Sequence, residues 1–142
     1  CQFISTQFYQ GRLTSADSCL QQNTAAGTGL RWLRAEHTSR STSSSEEADL
    51  IVSQIGTLIG TPWTNQRGEE RPLTAADFMV VVPYNDQVRT VKQRLAAEPA
   101  LNGVRVGTVD KFQGGEAAVV LPANVLFFDK KPPSEIAATK EL

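Results

Sequence analysis

The chain has 142 residues, of which 40% are hydrophobic and 20% are charged, a composition typical of one soluble globular domain. Its net charge of −1 and isoelectric point near 5.8 exclude nucleic-acid binding through overall positive charge, so any such binding needs a local patch. No apolar run approaches the length of a membrane-spanning helix, and we expect no membrane partner.

The two cysteines and the first residue bear on where the chain works. Cys1 and Cys19 lack the spacing of a metal site or a disulfide framework, so we expect no metal ligands and a reducing, cytoplasmic compartment. The chain starts with Cys1, and Met79 is its only methionine. We therefore expect a piece of a longer or processed polypeptide. A lipoprotein maturing at Cys1 is the weaker alternative, because no flexible Ser/Gly tether follows.

The first third of the chain carries weak structural signals. Apolar residues at helical spacing predict a helix over Gln2–Gln10, with Gly11 as its stop. Polar Ser15–Gly29 predicts a surface loop. Leu30–Ala35 predicts a strand whose mixed faces favour an outer position in a sheet. The low-complexity run His37–Ser45 follows, and we assign no site to its histidine.

The next third contains the clearest helix signal. Ser44 and Glu47 form a capping box, S-x-x-E, ahead of an apolar run that Gly60 ends. The polar stretch Thr61–Pro72 predicts a long insertion with turns at both ends. Trp63 within it could pack on the core or lie exposed, and the sequence leaves both alternatives open. The apolar face of the helix consists of Ala48, Ile51, Val52, Ile55, Leu58 and Ile59.

A strand followed by a helix comes next. Phe78–Val82 is continuously apolar, which is typical of a strand buried on both faces in a parallel sheet. Pro83 stops the strand, and Asn85 or Asp86 is a suitable helix cap. The inward face of this helix then consists of Val88, Val91 and Leu95.

The turn between that strand and helix is a candidate phosphate contact. The first N–H groups of a helix carry partial positive charge, so Pro83-Tyr84-Asn85 would face a phosphate. Tyr84 offers a ring on which a base or sugar could pack. An ordinary strand-to-helix turn, with Tyr84 covering the edge of the core, is the structural alternative.

The remaining strands flank a loop rich in glycine. Val104–Val109 and Ala117–Leu121 are apolar, and Asp110–Glu116 between them is polar and contains Gly114 and Gly115. Alternating strands and helices indicate an α/β fold with a parallel sheet and helices on both faces. In such a sheet the loops after Val82 and Val109 would share the C-terminal edge.

Three stretches resemble motifs of superfamily 1 helicases, especially of the 1B group. GTVDKFQGGE at Gly107–Glu116 resembles GTVDxFQGxE, FYQGRL at Phe8–Leu13 resembles FYxGxL, and VVVPYNDQ at Val80–Gln87 resembles VxxPYxxQ. Their order is that of the second RecA-like domain, and the nearest likeness is to RecB-like nuclease–helicase fusions. The resemblance implies an incomplete RecA-like domain over residues 1–121. Residues 122–142 would form a divergent, poorly ordered tail.

The same resemblance implies site residues. In these helicases the threonine of GTVDxFQGxE contacts the backbone of single-stranded DNA, and the glutamine-to-glutamate end faces the ATP site. The residues expected at nucleic acid are Pro83, Tyr84, Asn85, Thr108, Val109 and Asp110. Those expected at the nucleotide are Gln113, Gly114, Gly115 and Glu116.

Two departures from the family pattern shape the expected function. Gly115 stands where relatives carry Gln or Arg, so we expect a lost polar contact and a looser loop. After Val120 the arginine-bearing motif VI does not follow, and the sequence contains no G-x-x-x-x-G-K-[ST] phosphate loop. We expect no complete catalytic set on this chain.

The resemblance therefore implies a fragment of an ATP-dependent DNA helicase that is inactive alone. ATP and Mg²⁺ would bind only in the full-length protein, together with the first RecA-like domain, and single-stranded DNA would bind weakly. The alternative is a non-catalytic nucleic-acid-binding or interaction module, the product of a decayed gene.

Overall fold

The computed structural model describes residues 2–35 and 43–123, with side chains from residue 4 onward. Within these ranges the helices are α1 (Gln2–Phe8), α2 (Ser45–Leu58) and α3 (Asn85–Ala96). The strands are β1 (Asn23–Thr24), β2 (Pro62–Thr64), β3 (Glu70–Pro72), β4 (Phe78–Val81), β5 (Arg105–Gly107) and β6 (Val119–Pro122). No helix in these ranges combines the length and apolarity needed to cross a membrane.

The fold is built around β4, the middle strand of a three-stranded parallel sheet ordered β5-β4-β6. Val80 pairs with Val106 on one side and with Leu121 on the other. Alternate residues of a strand share a face, so Phe78, Val80 and Val82 project together, and each is at most 1% exposed. The predicted α/β fold is confirmed, as an incomplete RecA-like arrangement of a parallel sheet with helices.

One detail of the predicted sheet is wrong. We expected both Phe78–Val82 and Val104–Val109 to be inner strands, but β5 occupies an edge, and no described strand pairs with its outer side. Val106 is still only 4% exposed, because α3 packs against β5. The apolar character of β5 therefore reflects the helix that packs over it, not a second neighbouring strand.

Helices α2 and α3 pack against each other and supply the core over the Phe78–Val82 face. Full burial of a side chain such as Ile55 or Val91 contributes about 1.5–3 kcal/mol. The predicted inward faces are confirmed, because the buried residues of the two helices include Ala48, Ile51, Ile55, Val91 and Leu95.

The predicted ends of α2 are also confirmed. The Ser44 hydroxyl accepts a hydrogen bond from the Glu47 amide at 3.1 Å, as an N-cap requires. Beyond the other end, Gly60 adopts a φ of 78°, a left-handed conformation that glycine reaches without strain. Its amide donates to the Leu73 carbonyl at 2.8 Å, which ties the end of the helix to the start of the next segment.

A buried glutamine joins α2 to α3. Gln87 is fully buried, and its Oε1 accepts from the Ser44 amide at 2.7 Å. Its Nε2 donates to the Ser44 carbonyl at 3.1 Å. One side-chain amide thus pairs with both main-chain groups of a single residue, as a neighbouring peptide unit would. Since buried polar groups are costly when unpaired, this joint fixes the register between the two helices.

The polar stretch Thr61–Pro72, expected as a long insertion with turns at both ends, contains a β-hairpin. β2 pairs antiparallel with β3 and with β1, and Thr64 lies opposite both Glu70 and Asn23. Between the strands, Asn65 Oδ1 accepts from the amides of Arg67 and Glu69 at 2.8 and 3.1 Å. The turn chemistry of asparagine therefore closes a hairpin.

Trp63 is half-buried and packs against the core, which decides between the two alternatives left open by the sequence. The Arg71 guanidinium lies 4.5 Å from its ring centroid, within the range of a cation–π contact. Arg71 in turn donates to both carboxylate oxygens of Asp77, at 2.6 and 2.8 Å. The hairpin is thus attached to the residue that precedes β4.

The predicted strand Leu30–Ala35 is wrong. These residues form neither a strand nor a helix, and Leu30 and Trp32 are 96% and 81% exposed. Each face of this segment mixes apolar and charged side chains. Burying either face in a sheet would therefore bury charged groups and contribute little stabilisation. The strand in this part of the chain is β1, inside the stretch expected to be a loop. The pairing of Asn23 with Thr64 joins residues far apart in sequence, which local patterns do not report.

Other expectations differ from the structure at their boundaries. α1 ends at Phe8 because Gln10 and Gly11 both have positive φ, at 55° and 76°. β6 extends to Pro122, one residue beyond the expected end of the domain at residue 121. Two of the expected segments lie largely outside the described residues. These are residues 36–42 of the low-complexity run, and the tail expected at 122–142 from residue 124 on.

Candidate nucleic-acid interface

Two turns meet where β4 and β5 end. The Val82 amide donates to the Gly107 carbonyl at 3.0 Å, so Pro83 and Thr108 start the two turns side by side. This confirms the expectation that both loops share one edge of the sheet. We call the residues Val82–Asn85 and Gly107–Lys111 the C-terminal edge. Loops at this edge commonly hold the ligands of open parallel sheets.

The N-terminus of α3 opens at the C-terminal edge. The expectation that Asn85 or Asp86 caps it is wrong: Tyr84 is the N-cap, and its side chain makes no capping hydrogen bond. The Asp86 carboxylate pairs instead with Arg89 at 3.2 Å. The Tyr84 side chain therefore does not cap α3, and the start of this helix carries the partial positive charge of a helix N-terminus.

Tyr84 is partly accessible. The residue is 44% exposed, and Pro83 and Asn85 on either side are exposed as well. The ring is therefore accessible beside the open helix end, where a base or sugar could stack on it.

After β5 the chain forms a short 3-10 helix, Val109–Phe112, instead of continuing the strand. The Lys111 amide donates to the Thr108 carbonyl at 3.1 Å. The Phe112 ring folds back over Gly107, where an added Cβ would lie 2.9 Å from a ring carbon. A side chain at position 107 would displace that ring, so the glycine before Thr108 is a packing requirement.

The turn also holds a residue that the sequence analysis did not single out. Lys111 is exposed, and its aliphatic stem lies over Gly107 beside Thr108. Its ammonium group adds positive charge to the C-terminal edge of a chain whose net charge is −1. The available signal was its position inside GTVDKFQGGE, three residues after Thr108.

Gly115 has a different role from the one expected. The Gly115 amide donates to the Phe112 carbonyl at 2.8 Å, and an added Cβ would lie 3.1 Å from Met79 Cε and 3.0 Å from that carbonyl oxygen. The missing side chain lets the backbone approach the sheet closely, and the expected loosening of the loop stays a prediction. Gly114 beside it has a φ of 76°.

Glu116 lies at the other end of the sheet from Thr108. Its carbonyl accepts from Arg105 Nη2 at 2.7 Å, and Arg105 is the first residue of β5, whereas Thr108 follows the last. Arg105 and Thr108 are three residues apart along β5, so their backbones are roughly 10 Å apart at about 3.3 Å per residue. The structure therefore gathers Pro83, Tyr84 and Thr108 but does not bring Glu116 to them.

The loop crosses the sheet face opposite α2 and α3 and leaves a cavity of about 270 Å³. Its apolar wall includes Phe112, and Val109 and Val120 beside it are 65% and 49% exposed. Two of its lining residues, Asp110 and Gln113, are exposed and have polar side chains. The lining residues are Met79, Val81, Val109, Asp110, Phe112, Gln113, Gly115 and Val120.

Comparison with known families decides the type of domain. Residues 1–129 of the chain match a protein family described as an AAA domain. The chain belongs to this family. Membership indicates a helicase-like, nucleotide-binding type of domain. No curated protein and no solved structure matches the chain.

The described residues of the AAA domain could form at most part of a nucleotide site. Its sequence contains no G-x-x-x-x-G-K-[ST] loop to cradle phosphates. In the ranges 2–35 and 43–123, no group of three or more His, Cys, Asp or Glu residues could hold a metal ion. A triphosphate with Mg²⁺ therefore does not fit these residues alone, and Gln113–Glu116 could line only one wall of such a site.

Proposed function

We propose that this AAA domain is the second motor lobe of a superfamily 1B-type DNA helicase, carried in a RecB-like nuclease–helicase polypeptide. In this role it contacts single-stranded DNA through its C-terminal edge, and a first RecA-like lobe carries the phosphate loop and Mg²⁺. The observation that carries the proposal is the meeting of Thr108 with the Pro83–Asn85 turn at one edge, linked by the Val82–Gly107 hydrogen bond.

Each group at that edge suits a part of a DNA strand. The open amides of α3 and the Thr108 hydroxyl can donate to phosphate oxygens, and Lys111 can neutralise one of them. Tyr84 provides a stacking surface that accepts any base. These contacts require no particular sequence, which is what a translocating motor needs.

The nucleotide-facing part of the proposal concerns the remainder of the loop. Gln113 and Gly114 lie on the way from Thr108 to Glu116, so one loop would contact DNA at its start and border the nucleotide cleft further on. In this arrangement the domain adds a wall and the first lobe holds the phosphates. Binding of nucleotide by the AAA domain alone is therefore expected to be millimolar or weaker, because little ligand surface is buried.

Strand binding can be tested by fluorescence anisotropy with a labelled single-stranded oligonucleotide at low salt. We expect weak binding that falls with added salt, since few phosphates are contacted. Tyr84→Ala should weaken it about tenfold through lost stacking, and Tyr84→Phe should not. Thr108→Ala should weaken it about fivefold, the value of one hydrogen bond of about 1 kcal/mol.

Two exposed positions serve as matched controls. Tyr9→Ala removes a ring that is 53% exposed on another part of the chain, and Thr57→Ala removes an exposed hydroxyl from α2. Both should bind as the unmodified chain does. Binding that survives the double change Tyr84→Ala with Thr108→Ala would contradict the assignment of this edge.

A further inference from the structure

The cavity beside the C-terminal edge has the features of a small-ligand site. Ligand pockets are concave and mainly apolar, with a few polar groups that fix orientation. Here Val81, Val120, Val109 and Phe112 form the apolar part. The lining also includes Asp110 and Gln113, two exposed residues with polar side chains.

The loop that forms the cavity is held in place. The Gly115 amide is bonded to the Phe112 carbonyl, and the Gly115 backbone lies close to Met79. The concavity is therefore formed before any ligand arrives. Val109 nonetheless leaves 65% of its surface exposed, which is available for burial by a ligand.

We propose that this cavity binds a nucleobase with an exocyclic amino group, such as cytosine or adenine. The inference rests on the proposed function, because the C-terminal edge would hold the adjoining phosphate. A base has two apolar faces and a polar edge, which match the valine and phenylalanine wall and the two polar side chains. Stacking on an aromatic ring such as Phe112 is a common mode of base binding.

The polar pair sets the preference among bases. The Asp110 carboxylate only accepts hydrogen bonds, so it pairs with an amino group and repels a carbonyl oxygen in the same place. The Gln113 amide both donates and accepts, and it can complete the contact with the neighbouring ring nitrogen or carbonyl. Cytosine presents an amino group where thymine presents an oxygen, so cytosine should be bound more tightly.

The base could belong to a DNA strand or to a free nucleotide, and separate measurements distinguish them. The strand is tested by anisotropy with oligo-dC, oligo-dT and an abasic oligomer of equal length. We expect oligo-dC to bind about tenfold more tightly than oligo-dT, because both can stack on Tyr84 but only cytosine presents an amino group to the cavity. The free nucleotide is tested by the methyl NMR signals of Val81, Val109 and Val120, with cytidine monophosphate against ribose phosphate.

Substitutions at the rim test the assignment without disturbing the core. Gln113→Ala and Val120→Ala change exposed side chains of the lining, and each should remove the preference for oligo-dC over oligo-dT. Val120→Ala, which lies outside the C-terminal edge, should leave the affinity for oligo-dT unchanged. Leu20→Ala and Gln93→Ala, also at exposed positions, should change neither affinity.

The outcomes separate this inference from the proposed function. Equal binding of oligo-dC and oligo-dT, with methyl signals unmoved by cytidine monophosphate, overturns the base site and leaves strand binding intact. Methyl shifts without any oligomer binding support the base site and contradict the strand-binding edge. Silence in both measurements overturns both.

Discussion

Asp77 is the residue with the largest electrostatic perturbation among those described. Hydrogen bonds from Arg71 hold the pKa of its carboxyl well below the usual range; partial burial opposes this effect, and the Thr74 amide and hydroxyl add to it. The folded pKa thus lies below the unfolded value of about 3.9. The resulting stabilisation is complete above that pH and is lost as the pH falls through the folded pKa.

We therefore expect Asp77→Asn to lower the free energy of unfolding at pH 7 by about 1 kcal/mol, the usual cost of a lost capping contact. The difference from the unmodified chain should stay constant from pH 7 to pH 5 and shrink below about pH 4. Urea denaturation at several pH values measures it. Asp49→Asn is the matched control, because the ion pair of Asp49 with Arg94 is exposed and worth less than about 1 kcal/mol.

Gly115 provides a second prediction at the scale of one residue. Gly115→Gln introduces a side chain found in related helicases, yet its Cβ would crowd Met79 Cε and the Phe112 carbonyl. We expect destabilisation by about 1–3 kcal/mol, the range of overpacking, measured by urea denaturation.

Gly56→Ala is its opposite control. Gly56 lies inside α2, and an added Cβ there meets nothing within 4 Å. Gly56→Ala should stabilise the chain by about 0.5–1 kcal/mol, because alanine has a higher helix propensity than glycine. Equal effects at the two glycines would show that the close approach at Gly115 is not as described.

Between elements, Gln87 is the joint whose loss should matter most. Gln87→Met keeps the volume of the side chain but removes the hydrogen bonds to the amide and carbonyl of Ser44, of which the carbonyl still accepts from the Ala48 amide. The loss of these buried hydrogen bonds predicts a destabilisation of about 1–3 kcal/mol. Gln93→Met on the exposed side of α3 should change stability by less than about 0.5 kcal/mol. Similar losses for the two variants would refute the structural role of the buried amide.

Whether an element could be predicted depended on how far apart in sequence the residues are whose contacts form it. The helix ended by Gly60 and the strand Phe78–Val81 were predicted well, because their periodicity and caps lie within the segment. The hairpin Pro62–Pro72 and its partner Asn23–Thr24 were missed, since their pairing depends on residues about 40 positions away. Propensity over Leu30–Ala35 pointed to a strand that found no partner in the described residues.

The candidate site divides in the same way. The position of Thr108 and Pro83 at one edge could be predicted from the parallel sheet topology. The motif GTVDKFQGGE indicated which loop to consider as a site. The close approach of Gly115 to Met79 could not be read from the sequence, because it depends on how the loop crosses the sheet. The same crossing separates Glu116 from Thr108.

For the whole molecule, we expect no ATP hydrolysis by this chain alone. Hydrolysis needs a lysine and a hydroxyl on the phosphates, a carboxylate for Mg²⁺ and a positioned water. An arginine finger adds roughly a thousandfold or more in rate, and the expected arginine-bearing motif does not follow Val120. A phosphate-release assay with Mg²⁺ and single-stranded DNA should give the buffer rate.

Glu116→Gln is the variant that makes that assay decisive. Turnover that survives stringent purification and disappears in this variant would mean that the chain carries a catalytic set of its own. The proposal of a second motor lobe would then have to be abandoned. Turnover equal in both proteins would indicate a contaminating enzyme.

The joint at Gln87 has a consequence for how freely the chain can change. Gln87 recognises Ser44 by its main-chain amide and carbonyl alone, and every amino acid except proline offers the same two groups. The side chain that this contact requires is therefore the one at position 87 only. Since Ser44 is only 5% exposed, small residues other than proline could replace it and keep the joint, whereas position 87 requires the side-chain amide.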